Sequence, residues 1–213
     1  MSIKKRYHDL QKASQIHLGW QWLLPLRGAD AYHLKSLRIP DTDEQWDFDG
    51  LVLSLVKVLI DSLNEESLKK LIPYEKREVL KDKSGVALLE DVLYLNCLEG
   101  ADVHIVFLRK LDSLRSSGGA QGKRQNYLKI ANHFGVEDQS LQHVFVNTLN
   151  SASDVLDYFI ILVNSGRIRE IFEKNQMEAG YAILDEMIGM APSDRTDGSV
   201  NHDEVIYELQ SKP

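Results

Sequence analysis

The chain has 213 residues, 43% hydrophobic and 27% charged, which is enough apolar material for a sizeable core and an ordinary balance for a globular chain. No run of about 18 or more apolar residues occurs, which excludes a transmembrane helix, and no apolar stretch follows the basic residues of "MSIKKRYHDLQKASQIHLGW", which excludes a secretory signal. The net charge of −7 argues against a general nucleic-acid binder, and the lone Cys97, inside the apolar run "VLYLNCL", predicts a buried, inert thiol in a reducing cytoplasm.

Residues 1–45 show no sustained period. "GWQWLLPLRGADAYHLKSLRIP" carries two tryptophans and two prolines and reads as an irregular cover, anchored by Trp20, Trp22, Leu23 and Leu24. Helical spacing begins after Pro40. Thr42 and Gln45 suit a capping box, and Phe48, Leu51, Val52, Leu55, Val58, Leu59 and Leu63 recur every three or four residues, the mark of one buried face. After Pro73 a charged stretch predicts a short helix and turn. Ser84 is placed to cap a helix through "VALLEDVLYLNCL" that Gly100 ends. A helix over 102–115 carries Val103, Phe107, Leu111 and Leu114 on one stripe. Another, over 122–134, ends at Gly135. The longest spans 138–164, with Leu141, Phe145, Leu149, Ala152, Leu156, Phe159 and Val163 in alternating steps of four and three, and Gly166 stops it. "MEAGYAILDEMIGM" forms the last helix, before a polar, acidic tail over 191–213. The expected fold is all-α, a bundle of four to five core helices within 46–190.

The chemistry gathers in one stretch, "RSSGGAQGKRQNY". From 109 to 129, Arg109, Lys110, Arg115, Lys123, Arg124 and Lys129 face only Asp112, a local charge of +5 that leaves −12 for the rest of the chain. Such a patch can steer a polyanion to one spot; a solvated loop with ordinary surface cations is the plain alternative. A phosphate-binding loop of the G-x-x-x-x-G-K-[ST] kind fails three times: Ser117 stands where the first glycine belongs, Arg124 replaces the metal-binding hydroxyl, and a helix precedes it rather than a strand. A looser anion site survives, in which Gly118, Gly119 and Gly122 offer backbone N–H groups beside Lys123 and Arg124 at a helix start. The seven histidines form no metal-ligand pair, Cys97 has no partner base, and no serine lies in a nucleophile elbow, so neither metal nor cofactor is expected.

Metal-independent RNA cleavage needs a proton carrier and a cation for the phosphorane charge, which an arginine and a histidine a few residues apart can supply. The stretch "FLRKLDSLRSSGGAQGKRQNYLKIANHFGV…LQHVFVNTLNSASDVLDYF" resembles the C-terminal half of prokaryotic HEPN-type helical proteins, and "LRIPDTDEQWDFDGLVLSLVKVLIDSLNE" resembles bacterial chains carrying that half, together covering residues 37–163. The resemblance implies an all-α bundle, an R-x(4–6)-H motif, ribonuclease activity in toxin–antitoxin or phage-defence settings, and a homodimer with its active site in the dimer groove. With Arg115 as the motif arginine, the histidine position holds Gln121, which binds phosphate or base but shuttles no proton near neutral pH. The expected function is therefore a non-catalytic, cytoplasmic HEPN-like protein that binds RNA, a nucleotide phosphate or an acidic protein partner, with no membrane association. The alternatives are an active metal-independent endoribonuclease using Arg115 or Arg124 with His133, and a helical protein-interaction module. Arg27 and His33 also satisfy R-x5-H but precede the bundle.

Overall fold

Nine α-helices account for most of the residues that the computed structural model describes, namely 2–117, 132, 134 and 140–190. They are α1 (Ile3–His17), α2 (Ala31–Ser36), α3 (Gln45–Leu59), α4 (Glu65–Lys70), α5 (Arg77–Leu80), α6 (Gly85–Leu95), α7 (Ala101–Ser117), α8 (Leu141–Asn164) and α9 (Arg167–Met190). Two single 3-10 turns, Gly28–Asp30 and Tyr74–Lys76, lead into α2 and α5. Among the described residues there is no strand, only an isolated antiparallel bridge between Leu23 and Leu63. The protein is an all-α helical bundle. None of the described helices is long and apolar enough to cross a membrane. The chain divides into two units, Met1–Gln176 and Met177–Pro213.

α3 and α8 organise the core. α3 packs against α2, α7 and α8, while α8 also receives α1 and α7; α4 and α6 lie together, and α6 meets α7. Every residue of the α3 stripe is buried, from Phe48 to Leu63, and so is that of α8 apart from the half-buried Leu149. The two helices meet through Phe48 and Phe145, edge to face with ring centroids 6.0 Å apart. Each such side chain contributes about 1.5–3 kcal/mol on full burial, so these two stripes alone define which faces turn inward.

Residues 3–17 depart from the irregular cover expected over 1–45. They form a 15-residue helix whose buried positions Ile3, Tyr7, Leu10, Ala13 and Ser14 follow helical spacing, and it lies along α8. Arg6 fixes the pair, with Nε 2.8 Å from both carboxylate oxygens of Asp157. The stripe escapes a hydropathy reading because it is narrow and two of its members are Ala and Ser. From Gly19 (φ +73°) to Arg27 the chain does run irregularly, held by the fully buried Trp22 and Leu23, before α2 departs again from the expected irregular cover. Trp22 packs at 5.3 Å from Phe159, and Asn64 closes the seam by donating its backbone N–H to Trp22 O and its side chain to Gln21 O. Leu24 is exposed rather than anchoring.

Three local expectations are corrected. Thr42 and Gln45 make no capping box: Glu44 is the N-cap residue of α3, and the Thr42 hydroxyl accepts the Glu44 N–H two residues on. In α7, Leu111 and Leu114 are buried and Phe107 packs partly buried against the core as expected, but Val103 is 67% exposed, and Ala101, Ile105 and Leu108 complete the inward face instead. Cys97 is exposed, not buried. α6 ends at Leu95, and Leu98 N–H then bonds Leu93 O while Cys97 N–H bonds Tyr94 O, the pair of bonds that defines a Schellman motif. Cys97 takes the left-handed position usually given to glycine (φ +50°), and Leu93 and Leu98, the two positions that such a motif usually pairs, are both buried. Turning the chain this way sends Leu98 inward and Cys97 out.

The remaining boundaries follow capping chemistry. Ser140 caps α8 by accepting the His143 N–H at 3.3 Å, and Gly166 (φ +78°) ends it after the C-cap Ser165. α9 begins at Arg167, ten residues before the expected start, because Ile168, Ile171, Phe172 and Asn175 carry the inward face of a polar stretch. Asn175 is 3% exposed and donates to Leu71 O at 2.7 Å, a carbonyl that also accepts from Asn96. The expected helix over 122–134 falls almost wholly outside the described residues, as does the 191–213 tail.

Candidate functional site

Arg115 is the one motif residue that the described structure includes. Gln121 and His133, and the anion-cradle candidates Gly118, Gly119, Gly122, Lys123 and Arg124, lie outside the described residues. Arg115 stands near the C-terminal end of α7, where the helix passes the end of α3 and the start of α6. The three meet around a cleft of about 390 Å³, into which the turn after α3 delivers Asp61, α7 delivers Arg109, Asp112 and Arg115, and the α6 start brings Ser84 and Gly85.

The arginine is committed inside this cleft. Nη1 donates to Asp61 Oδ1 at 2.8 Å and Nη2 to Asp112 Oδ1 at 2.6 Å, while Lys57 holds the other Asp61 oxygen at 2.9 Å. Arg109, the other guanidinium of the lining, pairs with Glu90 across α6. Glu65 accepts the Gly85 N–H at 2.6 Å, so a carboxylate already occupies the exposed amide at the start of α6. Three carboxylates (Asp61, Glu65, Asp112) thus face two guanidiniums. Burial works to raise the Asp61 carboxyl, but hydrogen bonds and charge from Lys57 and Arg115 outweigh it and hold the group below the usual carboxylate range. Asp61 in turn pushes Lys57 up, through the hydrogen bond first and its charge second. A phosphate approaching Arg115 has to displace one of these carboxylates, so the cleft as built is an ion-paired seam and not a ready anion cradle.

The second arginine–histidine candidate sits elsewhere. His33, on α2, shares a hydrogen bond of 3.1 Å between Nδ1 and Ser54 Oγ on α3, and Ser36 Oγ bonds both the His33 carbonyl and Ser54 Oγ. These contacts staple α2 to α3. Beside them runs a groove of about 530 Å³ flanked by the exposed rings of Tyr32 and Trp46, with Arg38 held at its edge by the buried carboxylate of Asp47 at 3.2 Å. Arg27 precedes the 3-10 turn and is exposed. Of the other histidines, His104 stacks on Tyr158 at 4.5 Å, where burial lowers its pKa against the opposing charge of Asp154. Among the described residues no group of three His, Cys, Asp or Glu side chains is placed to hold a metal.

A scan against protein-family models finds no match, and searches of curated proteins and of solved structures find none either. The partners of Arg115 are what a reading of the motif alone misses. Asp61 lies 54 positions earlier, and the only local signal is the Lys57–Asp61 spacing of four on one helical face, which marks an ion pair but not its third member.

Proposed function

We propose that this chain is a cytoplasmic, non-catalytic HEPN-like bundle that binds single-stranded RNA or a nucleotide phosphate through the basic, glycine-rich segment 118–129. The observation that carries this reading is the position of Arg115, whose guanidinium is divided between Asp61 and Asp112. An arginine neutralised by two carboxylates is poorly placed to stabilise a phosphorane, and Gln121 in the histidine position removes the proton carrier. The sequence supplies Lys123, Arg124 and Lys129 as the further cations of the segment. The homodimer implied by the resemblance, and a toxin–antitoxin or defence role, belong to the same proposal.

Fluorescence anisotropy with a single-stranded RNA oligonucleotide over a salt series tests it. Affinity falls steeply with salt, and Lys123→Ala/Arg124→Ala removes about two units from the log–log slope with helix content unchanged. In EDTA the RNA stays intact. Cleavage in EDTA that His133→Ala abolishes overturns the reading in favour of the active endoribonuclease.

A helical interaction module is the second reading, and one observation favours it. In the second unit, α9 exposes Met177, Tyr181, Leu184 and Met187 at steps of four, three and three, an apolar stripe facing solvent. Absence of RNA binding at low salt, with a light-scattering mass of twice 24.3 kDa, selects it.

A further inference from the structure

The Arg115 cleft mixes both charges, and so does the α2–α3 groove. A third cleft, of about 400 Å³ between α1 and α2, does not. Its floor is apolar: the Tyr7 ring, Pro25, Leu26, Ala31 and Leu34. The polar atoms beneath are already paired, since the Tyr7 hydroxyl donates to Leu24 O at 3.3 Å and accepts the Leu26 N–H at 3.4 Å, and Gln11 donates to Leu23 O at 2.6 Å. A guest on this floor meets mostly carbon, with the Tyr7 hydroxyl and the Gln11 amide N–H already engaged, which suits an apolar body.

Lys4, His8 and Lys35 complete the lining, and no carboxylate joins them. Lys4 reaches across the cleft to donate one N–H to the Lys35 carbonyl at 2.7 Å, which leaves two. None of the three forms an ion pair with another described residue, whereas Lys5 and Arg6, their neighbours on α1, are paired with Asp9 and Asp157. In a chain of net charge −7, three cationic or cationisable side chains around one apolar floor is a local inversion of sign. We infer that this cleft is a binding site for a small organic anion with an apolar body, of the class of a medium-chain carboxylate. The body lies on Leu26, Ala31 and Leu34, and the carboxylate meets Lys4 and Lys35. The cleft lies at the small end of ligand-site volumes, which favours a body of about ten carbons or fewer.

Isothermal titration calorimetry of the full chain with sodium octanoate tests the inference, with octylammonium chloride as the charge-inverted probe. The expected result is saturable one-to-one binding of octanoate and at least tenfold weaker binding of octylammonium. Lys35→Glu weakens octanoate about fivefold, the upper end of an exposed ion pair. Ala31→Trp, which fills this cleft and does not line the α2–α3 groove, abolishes binding while circular dichroism stays unchanged. Lys123→Ala/Arg124→Ala leaves octanoate affinity untouched, which separates this site from the RNA-binding segment. Equal binding of the two probes, or octanoate binding that survives Ala31→Trp, overturns the inference. So does capture of the protein by phosphatidylglycerol vesicles without saturable octanoate binding, which assigns the face to a lipid surface instead.

Discussion

Two clefts of nearly equal size, about 390 and 400 Å³, treat their cations in opposite ways. Around Arg115 the positive charges come from a basic run of sequence, yet carboxylates from the turn after α3, from α4 and from α7 meet them and the lining ends with an acid in excess. Between α1 and α2 the cations come from separate segments, Lys4 and His8 on one helix and Lys35 on another, and no carboxylate follows them in. A count of charges along the chain finds the first region and misses the second. What decides whether a cation is open to a ligand is which acids the fold carries to it across tens of residues.

Substitutions at the two clefts turn this contrast into stabilities. The largest effect is expected for Asp61→Ala, which leaves Lys57 and Arg115 facing each other without their shared acceptor. It lowers unfolding free energy by about 1–2 kcal/mol in urea titrations. Combined with Arg115→Ala, the double-mutant cycle returns a coupling of about 0.5–1 kcal/mol. A coupling near zero makes the pair an incidental surface contact and reopens Arg115 to ligands.

The pH dependence sharpens the same point. Lys57 and Arg115 depress the Asp61 carboxyl below its unfolded value of 3.8, so the folded state releases that proton more readily than the unfolded one. The stability this supplies is fully present above pH 3.8 and is lost as pH falls through the folded value. The destabilisation caused by Asp61→Asn is therefore expected to be constant from pH 7 to pH 5 and to shrink toward pH 3. Urea midpoints of both proteins at each pH measure it, and a difference that grows on acidification contradicts the assignment.

The smallest effect belongs to the other cleft. Lys35→Ala removes a cation with no ion pair among the described residues, and its urea midpoint stays within about 0.5 kcal/mol of the parent protein. A loss of more than about 1 kcal/mol shows that Lys35 serves the fold and is not held open for a ligand.

Much of the bundle is legible in the pattern of apolar residues, and the failures share a physical form. α3 and α8 are read correctly because Leu, Val and Phe fill whole turns of one face, so a small error in phase leaves the stripe intact. α7 is read correctly at Leu111 and Leu114 but not at its first turn, because Val103 lies outside while Ala101, a small residue that a hydropathy reading discounts, lies inside. α1 and the first half of α9 are missed for the complementary reason: they pack through Ala13 and Ser14, or through Asn175, whose burial depends on the carbonyl of Leu71 arriving from α4. The site is less legible still. Arg115 stands out by composition, but its meaning rests on Asp61, and the α1–α2 cleft rests on which side chains fail to meet an acid. Neither fact is local in sequence.

The Schellman turn after α6 has a practical consequence. It brings the single thiol of the chain to the surface, on a backbone pinned by Arg167, whose Nη2 bonds the carbonyls of Asn96 and Cys97 at 3.3 and 3.1 Å. A nitroxide attached at Cys97 therefore rides on a fixed helix end, with no second cysteine to remove and no residue of either cleft disturbed. Were two copies to associate, pulsed electron paramagnetic resonance on the unmutated protein would return one narrow interspin distance, and a monomer would return none.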